Sequence, residues 1–228
     1  MTKKMLKNTT IEIQDLGIID YKKAYEYQNE LFSLNLELKK QNKSTFNTLL
    51  LCEHPHVYTL GKHGKKENLL ISENLLHKLN AYFVKTDRGG DITYHGFGQL
   101  VVYPIFDLDN FSIGTKQFVE KLENLIIKLL KIYKINGTIL DDAPGVWIKN
   151  DKNIEKICAI GLKVSNHITM HGIALNVNTD LNYFSFINAC GFKDRGTTSM
   201  QKILHKKIDF QKVKEQIKEL FLSEFKTS

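Results

Sequence analysis

Ile157-Cys158-Ala159-Ile160-Gly161-Leu162-Lys163-Val164, followed after Ser165-Asn166-His167 by Ile168-Thr169-Met170-His171-Gly172-Ile173-Ala174-Leu175-Asn176-Val177, decides the fold class. Both runs are short, largely apolar and bounded by polar turn residues, so each predicts a strand. A third run, Val146 to Ile148, lies just upstream. The gaps between the three leave no room for the helical crossover that joins parallel strands, so the spacing predicts an antiparallel meander rather than βαβ units.

Helical spacing appears on both sides of that meander. From Asp20 to about Asn42, Ala24, Tyr27, Leu31, Leu34 and Leu38 fall on one stripe. From Thr115 to Ile135, Phe118, Leu122, Leu125, Leu129 and Ile132 do the same, and Asn136-Gly137 ends the run. Asp209 is placed to cap a last helix with Val213, Ile217, Leu220 and Phe221 inward, and Ser72 to cap a short one reaching Leu79. Leu49-Leu50-Leu51, within Thr45 to Cys52, predicts a buried strand entering the turn Glu53-His54-Pro55, and Tyr82 to Lys85 predicts another. Gln99 to Phe106 predicts a strand that Pro104 places at a sheet edge or a strand end. The sum is an α+β chain: one domain over residues 1–228, a mixed or mostly antiparallel sheet, and packed helices.

With 228 residues and 42% hydrophobic content the chain can bury about 70 to 75% of its unfolded surface, enough for one sizeable core. Three cysteines, Cys52, Cys158 and Cys190, form no C-x-x-C pair, so neither a disulfide framework nor a zinc cage is expected and a reducing cytoplasm fits. No segment approaches the roughly 18 apolar residues of a membrane span, so a soluble, unprocessed protein is expected. The net charge of +7 suits acidic partners, but its lysines are scattered and no aromatic-studded basic strand predicts nucleic-acid binding.

The chemistry concentrates in Arg88-Gly89-Gly90-Asp91-Ile92-Thr93-Tyr94-His95-Gly96-Phe97-Gly98-Gln99. Four glycines in twelve residues let the backbone approach a ligand closely while polar side chains line it. Downstream, Cys190 precedes Gly191, which leaves a thiol accessible. A thiol needs a neighbouring base or cation to be a useful nucleophile at pH 7. Lys156 can supply one, since it begins a strand whose later residues are apolar, although a lysine there can also merely snorkel. A lone cysteine beside a glycine is more often a buried core residue than a nucleophile, so Cys190 has that reading too. Cys158, two residues after Lys156, shares its face by strand parity and is a second possible thiol. His95 and His171, each before a glycine, suit a pocket wall, and no ligand spacing suggests a metal.

Arg-Gly-Gly-x-x-Thr-Tyr-His-Gly-x-Gly-Gln, Pro-Gly-Val-Trp, Lys-Ile-x-Ala-Ile-Gly, His-Gly-x-Ala-Leu-Asn-Val and Cys-Gly, in this order, resemble the lipoyl(octanoyl) transferases. The resemblance runs from Glu53-His54-Pro55 through Thr198-Ser199-Met200, and Phe97 and Ala189 stand where that family usually has proline. It implies the fold of biotin and lipoate protein ligase catalytic domains and no cofactor. It further implies transfer of an octanoyl group from octanoyl-acyl carrier protein to a lysine of lipoyl domains of 2-oxoacid dehydrogenases or of glycine cleavage H protein. Cys190 matches the family's acyl-thioester nucleophile and Lys156 the lysine that lowers its pKa. Arg88, Gly89, Gly90, Asp91, Ile92, Thr93, Tyr94 and His95 would line the acyl and pantetheine pocket. Ala159, Ile160, Gly161, Gly172, Ile173 and Ala174 would complete it. Two other readings fit the same fold: an ATP-dependent lipoate or biotin ligase, which needs no cysteine, and a non-catalytic module that binds acyl carrier protein.

Overall fold

The structure, a computed structural model, describes residues 7–150, 153–188 and 195–225. It opens with β1 (Ile11–Ile18) and α1 (Tyr21–Lys40), whose first turn is capped by the Asp20 carboxylate accepting from the Lys22 and Lys23 N–H groups. β2 (Asn47–Glu53), β3 (Val57–Leu60), the Ser72-capped α2 (Glu73–Lys78), β4 (Tyr82–Lys85), β5 (Ile92–His95) and β6 (Gln99–Ile105) follow. α3 (Thr115–Ile132) leads into β7 (Gly145–Lys149), β8 (Ile154–Ser165) and β9 (Ile168–Asn176). β10 (Arg195–Thr197), α4 (Met200–Leu204) and α5 (Phe210–Glu224), capped by Asp209, complete the chain.

The meander forms as its spacing requires. β8 pairs antiparallel with β9 from Cys158↔Leu175 to Ser165↔Ile168, and β7 pairs antiparallel along the first part of β8. Asn166 and His167 join β8 to β9 with φ of 46° and 62°, the left-handed pair that a two-residue hairpin turn demands. Among the described residues the main sheet has seven strands, ordered β1-β2-β6-β9-β8-β10 with β7 on β8. β1 runs parallel to β2 and β10 parallel to β8, and the other pairings are antiparallel, so the sheet is mixed and the α+β class holds.

Alternation along the central strands divides the core. Leu100 and Val102 of β6, with Ile173 and Leu175 of β9, face α3 and α5. Val101 and Tyr103, with Met170 and Ala174, face α1. Phe118, Leu122, Leu125, Ile126 and Leu129 of α3 are fully buried, and truncating any of them to alanine would cost about 2–5 kcal/mol. A separate three-stranded sheet, β4-β3-β5, packs with α2 around Tyr58, Leu76 and Tyr94. Among the described residues no helix is long and apolar enough to cross a membrane.

One expectation is corrected and another narrowed. The glycine-rich stretch, whose place between the predicted strands Tyr82 to Lys85 and Gln99 to Phe106 reads as a connection, contains a strand of its own: Ile92–His95 is β5 and belongs to the small sheet. Pro104 takes the second of its two expected places, a strand end: it is the penultimate residue of β6, which runs between β2 and β9 rather than at the sheet edge. Its missing N–H is tolerated there because the ladder to β9 stops at Val102↔Ile173, two residues earlier, and the Thr169 hydroxyl donates to the Pro104 carbonyl at 2.7 Å.

Candidate functional site

The face of β6, β9 and β8 that turns toward α1 is not filled by α1 along its whole length, and register explains the shape of the cavity left there. Gly172 and Gly161 form one row across β9 and β8, with Tyr103 following Val102 just past the end of the β6–β9 ladder, and Val101, Ala174 and Ala159 form the next across all three strands. A third row sets Gln99 beside Asn176, with Lys156 beyond them. Glycine and alanine in the first two rows leave a trough, and the third row supplies polar groups at its end. Rows two residues apart stand about 7 Å from each other, so the trough runs about 14 Å from the Asn176 row to the Gly172 row. About 990 Å³ of non-protein space lies here, part of it open to solvent, closed at the deep end by Tyr21, Tyr103 and His171.

Two backbone irregularities aim side chains into this trough against simple alternation. β7 matches Trp147 to Lys156 but Val146 to Cys158, so Ile157 is an extra residue, a β-bulge. Ile157 and Cys158 therefore both turn to the α3 core while Lys156 lies on the cavity wall with Ala159 and Gly161. The shared face expected for Lys156 and Cys158 is thus overturned. Burial pushes the Cys158 thiol up to about 12, and its Sγ lies 3.7 Å from the Ala159 carbonyl, which leaves it a core residue. At His171 a φ of +61° turns a β9 residue out of alternation, so that its ring stacks on Tyr25 of α1 and lines the cavity. Its Nε2–H donates to Asp87 at 2.8 Å. That bond first, and Lys163 at 2.6 Å next, hold the Asp87 carboxyl well below the usual carboxylate range.

The glycine-rich segment roofs the trough. Gly89 N–H donates to the Leu162 carbonyl of β8 at 2.8 Å, and a Cβ on Gly161 beneath would stand 3.1 Å from the Gly89 oxygen. A side chain at Gly161 would press the roof outward by a few tenths of an ångström. On the other side, Gly61, Lys62 and His63 donate their N–H groups to the carbonyls of Asp91, Arg88 and Gly90. Arg88, 8% exposed, sends its guanidinium to the Thr59 carbonyl at 2.7 Å, the Thr59 hydroxyl at 3.0 Å and the Gly89 carbonyl at 3.0 Å.

A hydrogen-bonded chain then crosses the cavity. The Gln99 amide N–H groups donate to the Tyr94 carbonyl and to Asn176 Oδ1, which leaves Gln99 Oε1 to accept from His95 Nδ1–H at 2.7 Å. Asn176 in turn donates to the Thr198 carbonyl at 3.1 Å, and Thr198 N–H donates to the Lys156 carbonyl at 3.0 Å. Burial, with the His54 ring next, holds the His95 imidazole down to about 3, so it is neutral at pH 7.

Lys156 is half-buried. Its Nζ donates to the Pro144 carbonyl at 3.2 Å and lies 4.5 Å from the Trp147 ring centroid, a cation–π distance. The structure thus brings Lys156, Arg88, Gly90, Asp91, Ile92, Thr93, His95, Ala159, Ile160, Gly161, Gly172, Ile173 and Ala174 to one cavity. Tyr94 does not line it. Thr93 and His95 alternate with it on β5, so Tyr94 packs instead in the small sheet's core, stacked on Tyr183 at 4.9 Å. Gly89 is held to β8 beside the cavity rather than on its wall. Cys190, with Ala189, lies outside the described residues. Tyr21, Val101, Tyr103 and Arg195 also line the cavity and were not singled out in the sequence, while Trp147 and Asn176, which stand in the quoted motifs without an assigned role, line it too. Parity with Gln99 would have found Val101 and Tyr103. Among the described residues no three His, Cys, Asp or Glu side chains converge as metal ligands.

This geometry can be set beside known proteins. The lipoyl protein ligase A/B catalytic domain family matches residues 20–222. An octanoyltransferase of Porphyromonas gingivalis is 50% identical over 214 residues, which are 93% of this chain but only 44% of that protein. One of Bacteroides fragilis is 47% identical over 204 residues, 89% of this chain and 92% of that protein. In three dimensions the chain is similar to P. falciparum LipL1 in complex with lipoate, with a TM-score of 0.70 at 14% identity over 95% of this chain and 62% of that one. It is also similar to a putative lipoate protein ligase from T. acidophilum with bound lipoic acid, at 0.67 and 13% over 93% and 85%. A biotin protein ligase from Aquifex aeolicus in complex with biotin and ATP follows, at 0.53 and 14% over 94% and 70%. At these identities the three structures speak to fold alone.

Proposed function

This chain belongs to the lipoyl protein ligase A/B catalytic domain family, and from that footing we propose that its single catalytic domain moves an octanoyl group from octanoyl-acyl carrier protein to a lysine side chain of a lipoyl domain. The acceptors in this reading are lipoyl domains of 2-oxoacid dehydrogenases and glycine cleavage H protein. The observation that carries it is the trough, whose small apolar rows run into a polar end that holds Lys156. An extended eight-carbon chain measures about 9 Å, from C–C bonds of about 1.5 Å in zigzag, so with its carbonyl carbon near the third row it passes the second row and ends short of the first, inside the trough. The glycine and alanine rows along the floor suit an acyl chain, and Gln99, Asn176 and Lys156 stand at the reacting end.

The reaction is ping-pong. Lys156 Nζ takes the Cys190 proton, the thiolate attacks the donor thioester carbon, and the carrier's thiol leaves with a proton, so that an acyl-enzyme thioester remains. The acceptor lysine amine attacks that thioester, Cys190 leaves as the thiol, and an amide forms. Cys158 is no rival nucleophile in this reading, since its thiol is fully buried and held up to about 12. Arg195, on the cavity wall, is five residues from Cys190, a covalent reach of at most about 18 Å.

Intact-mass analysis after mixing with octanoyl-acyl carrier protein tests the reading. A single octanoyl adduct is expected on the native protein and on Cys158→Ser, and its loss as a thioester in Cys190→Ser. Labelling of Cys158 instead, or product formation only from free octanoate with ATP and magnesium, would sink it.

A further inference from the structure

One peptide group connects two ionisable side chains that the sequence keeps far apart. The N–H of the Pro144–Gly145 peptide donates to Glu123 Oε1 at 2.9 Å, and its C=O accepts from Lys156 Nζ at 3.2 Å. The peptide is planar, with N–H and C=O pointing in opposite directions, so holding one end aims the other. Glu123 comes from α3 and is 4% exposed, so it holds the N–H end from inside the core.

The local sequence makes that plane attainable. Gly145 sits at φ +122°, and a Cβ there would lie 2.5 Å from the Cys158 carbonyl, so no other residue can take its place without displacing β8. Pro144 fixes its own φ and offers no competing N–H. The flanking residues tie the turn down: Asp142 pairs with Arg195 at 2.6 Å, and the Trp147 indole N–H donates to the Ala143 carbonyl at 2.9 Å.

We propose that the Pro144–Gly145 peptide positions the Lys156 amine and that Glu123 is its anchor, a positioning residue of the acyl-transfer step. The inference rests on Lys156 being the base of that step. When the amine takes the thiol proton, the new ammonium is steadied by a carbonyl that the Glu123 carboxylate, bonded to the other end of the same amide, has polarised. The charged or titratable groups packed about this peptide are Glu123 and, acting on it, Glu120 from α3, Asp142 from the turn, Arg195 from β10, and Cys158 from β8. Of these, Glu123 alone shares an amide with Lys156.

The test is the single-turnover rate of enzyme acylation by octanoyl-acyl carrier protein, read by intact mass on the full chain across pH. Glu123→Ala should acylate about tenfold or more slowly at saturating donor with an unchanged half-saturation concentration. Glu123→Gln keeps an acceptor oxygen for Gly145. It should recover the rate to within about threefold, while its rate–pH midpoint moves to lower pH because the ammonium has lost its distant counter-charge. A Glu123→Ala protein as fast as the native one, or a Glu123→Gln midpoint that coincides with the native midpoint, overturns the proposal. Should Glu123→Ala be too unstable to assay, the Glu123→Gln midpoint decides alone. Lys156→Met is the control: native acylation rates there would remove the base itself, a failure of the functional reading and separable from one confined to Glu123.

Discussion

Two buried imidazoles, His54 and His95, pack against the Tyr21 ring at centroid distances of 5.3 and 5.9 Å. His54 donates Nδ1–H to the Ile19 carbonyl at 2.8 Å and accepts from the Tyr103 hydroxyl at 2.7 Å, and burial holds it down to about 4. With His95 down to about 3, both rings are neutral in the folded chain but take protons near 6.5 once unfolded. The unfolded state then binds more protons, so stability is present in full above about pH 6.5 and is lost as pH falls toward the folded values. Each ring should withdraw about 1.4 kcal/mol per pH unit over that window. Urea unfolding at pH 6.5 and 4.5 checks this, and His54→Gln, which keeps both hydrogen bonds, should flatten the slope. An unchanged slope in that variant would mean His54 is not one of the sources.

At the level of strands, chain-length preference follows from the rows. Ala174 and Ala159 make the second row hollow, and a leucine at 174 would fill it next to Val101. Ala174→Leu should therefore slow transfer of octanoyl by about tenfold or more while sparing a butanoyl donor, since each methylene of misfit is worth about 1–3 kcal/mol. Equal loss for both donors would place the chain elsewhere. Much of this sheet was legible from the sequence because short apolar runs bounded by turn residues mark β8 and β9 and helical spacing holds in α1, α3 and α5. What stayed hidden departs from period. The bulge at Ile157 and the left-handed His171 each send a side chain where parity would not, and nothing in composition announces either. β3 and β5 are four residues each, too short to show alternation, so the small sheet and the inward turn of Tyr94 went unseen. The Glu123 contact to Gly145 joins residues 22 apart in sequence through one backbone N–H, which no spacing rule encodes.

Across the whole molecule the net charge of +7 should act on encounter rather than on chemistry. Lys62, Lys65 and Lys66 are exposed on the segment that flanks the cavity roof, and none makes an ion pair among the described residues. If the donor and acceptor are acidic proteins, kcat/KM should fall about three- to tenfold between low and moderate salt, with kcat nearly constant. A salt-independent kcat/KM would remove steering from the account. In the same segment Gly61, Lys62 and His63 hold the roof through their main-chain amides, and the Asn68 side chain adds a bond to the Asp91 carboxylate at 2.7 Å. Shape and charge at the entrance are consequently written in different alphabets: recoding Lys62 or His63 can re-tune which visitors are attracted, while the architecture that receives them stays as it was.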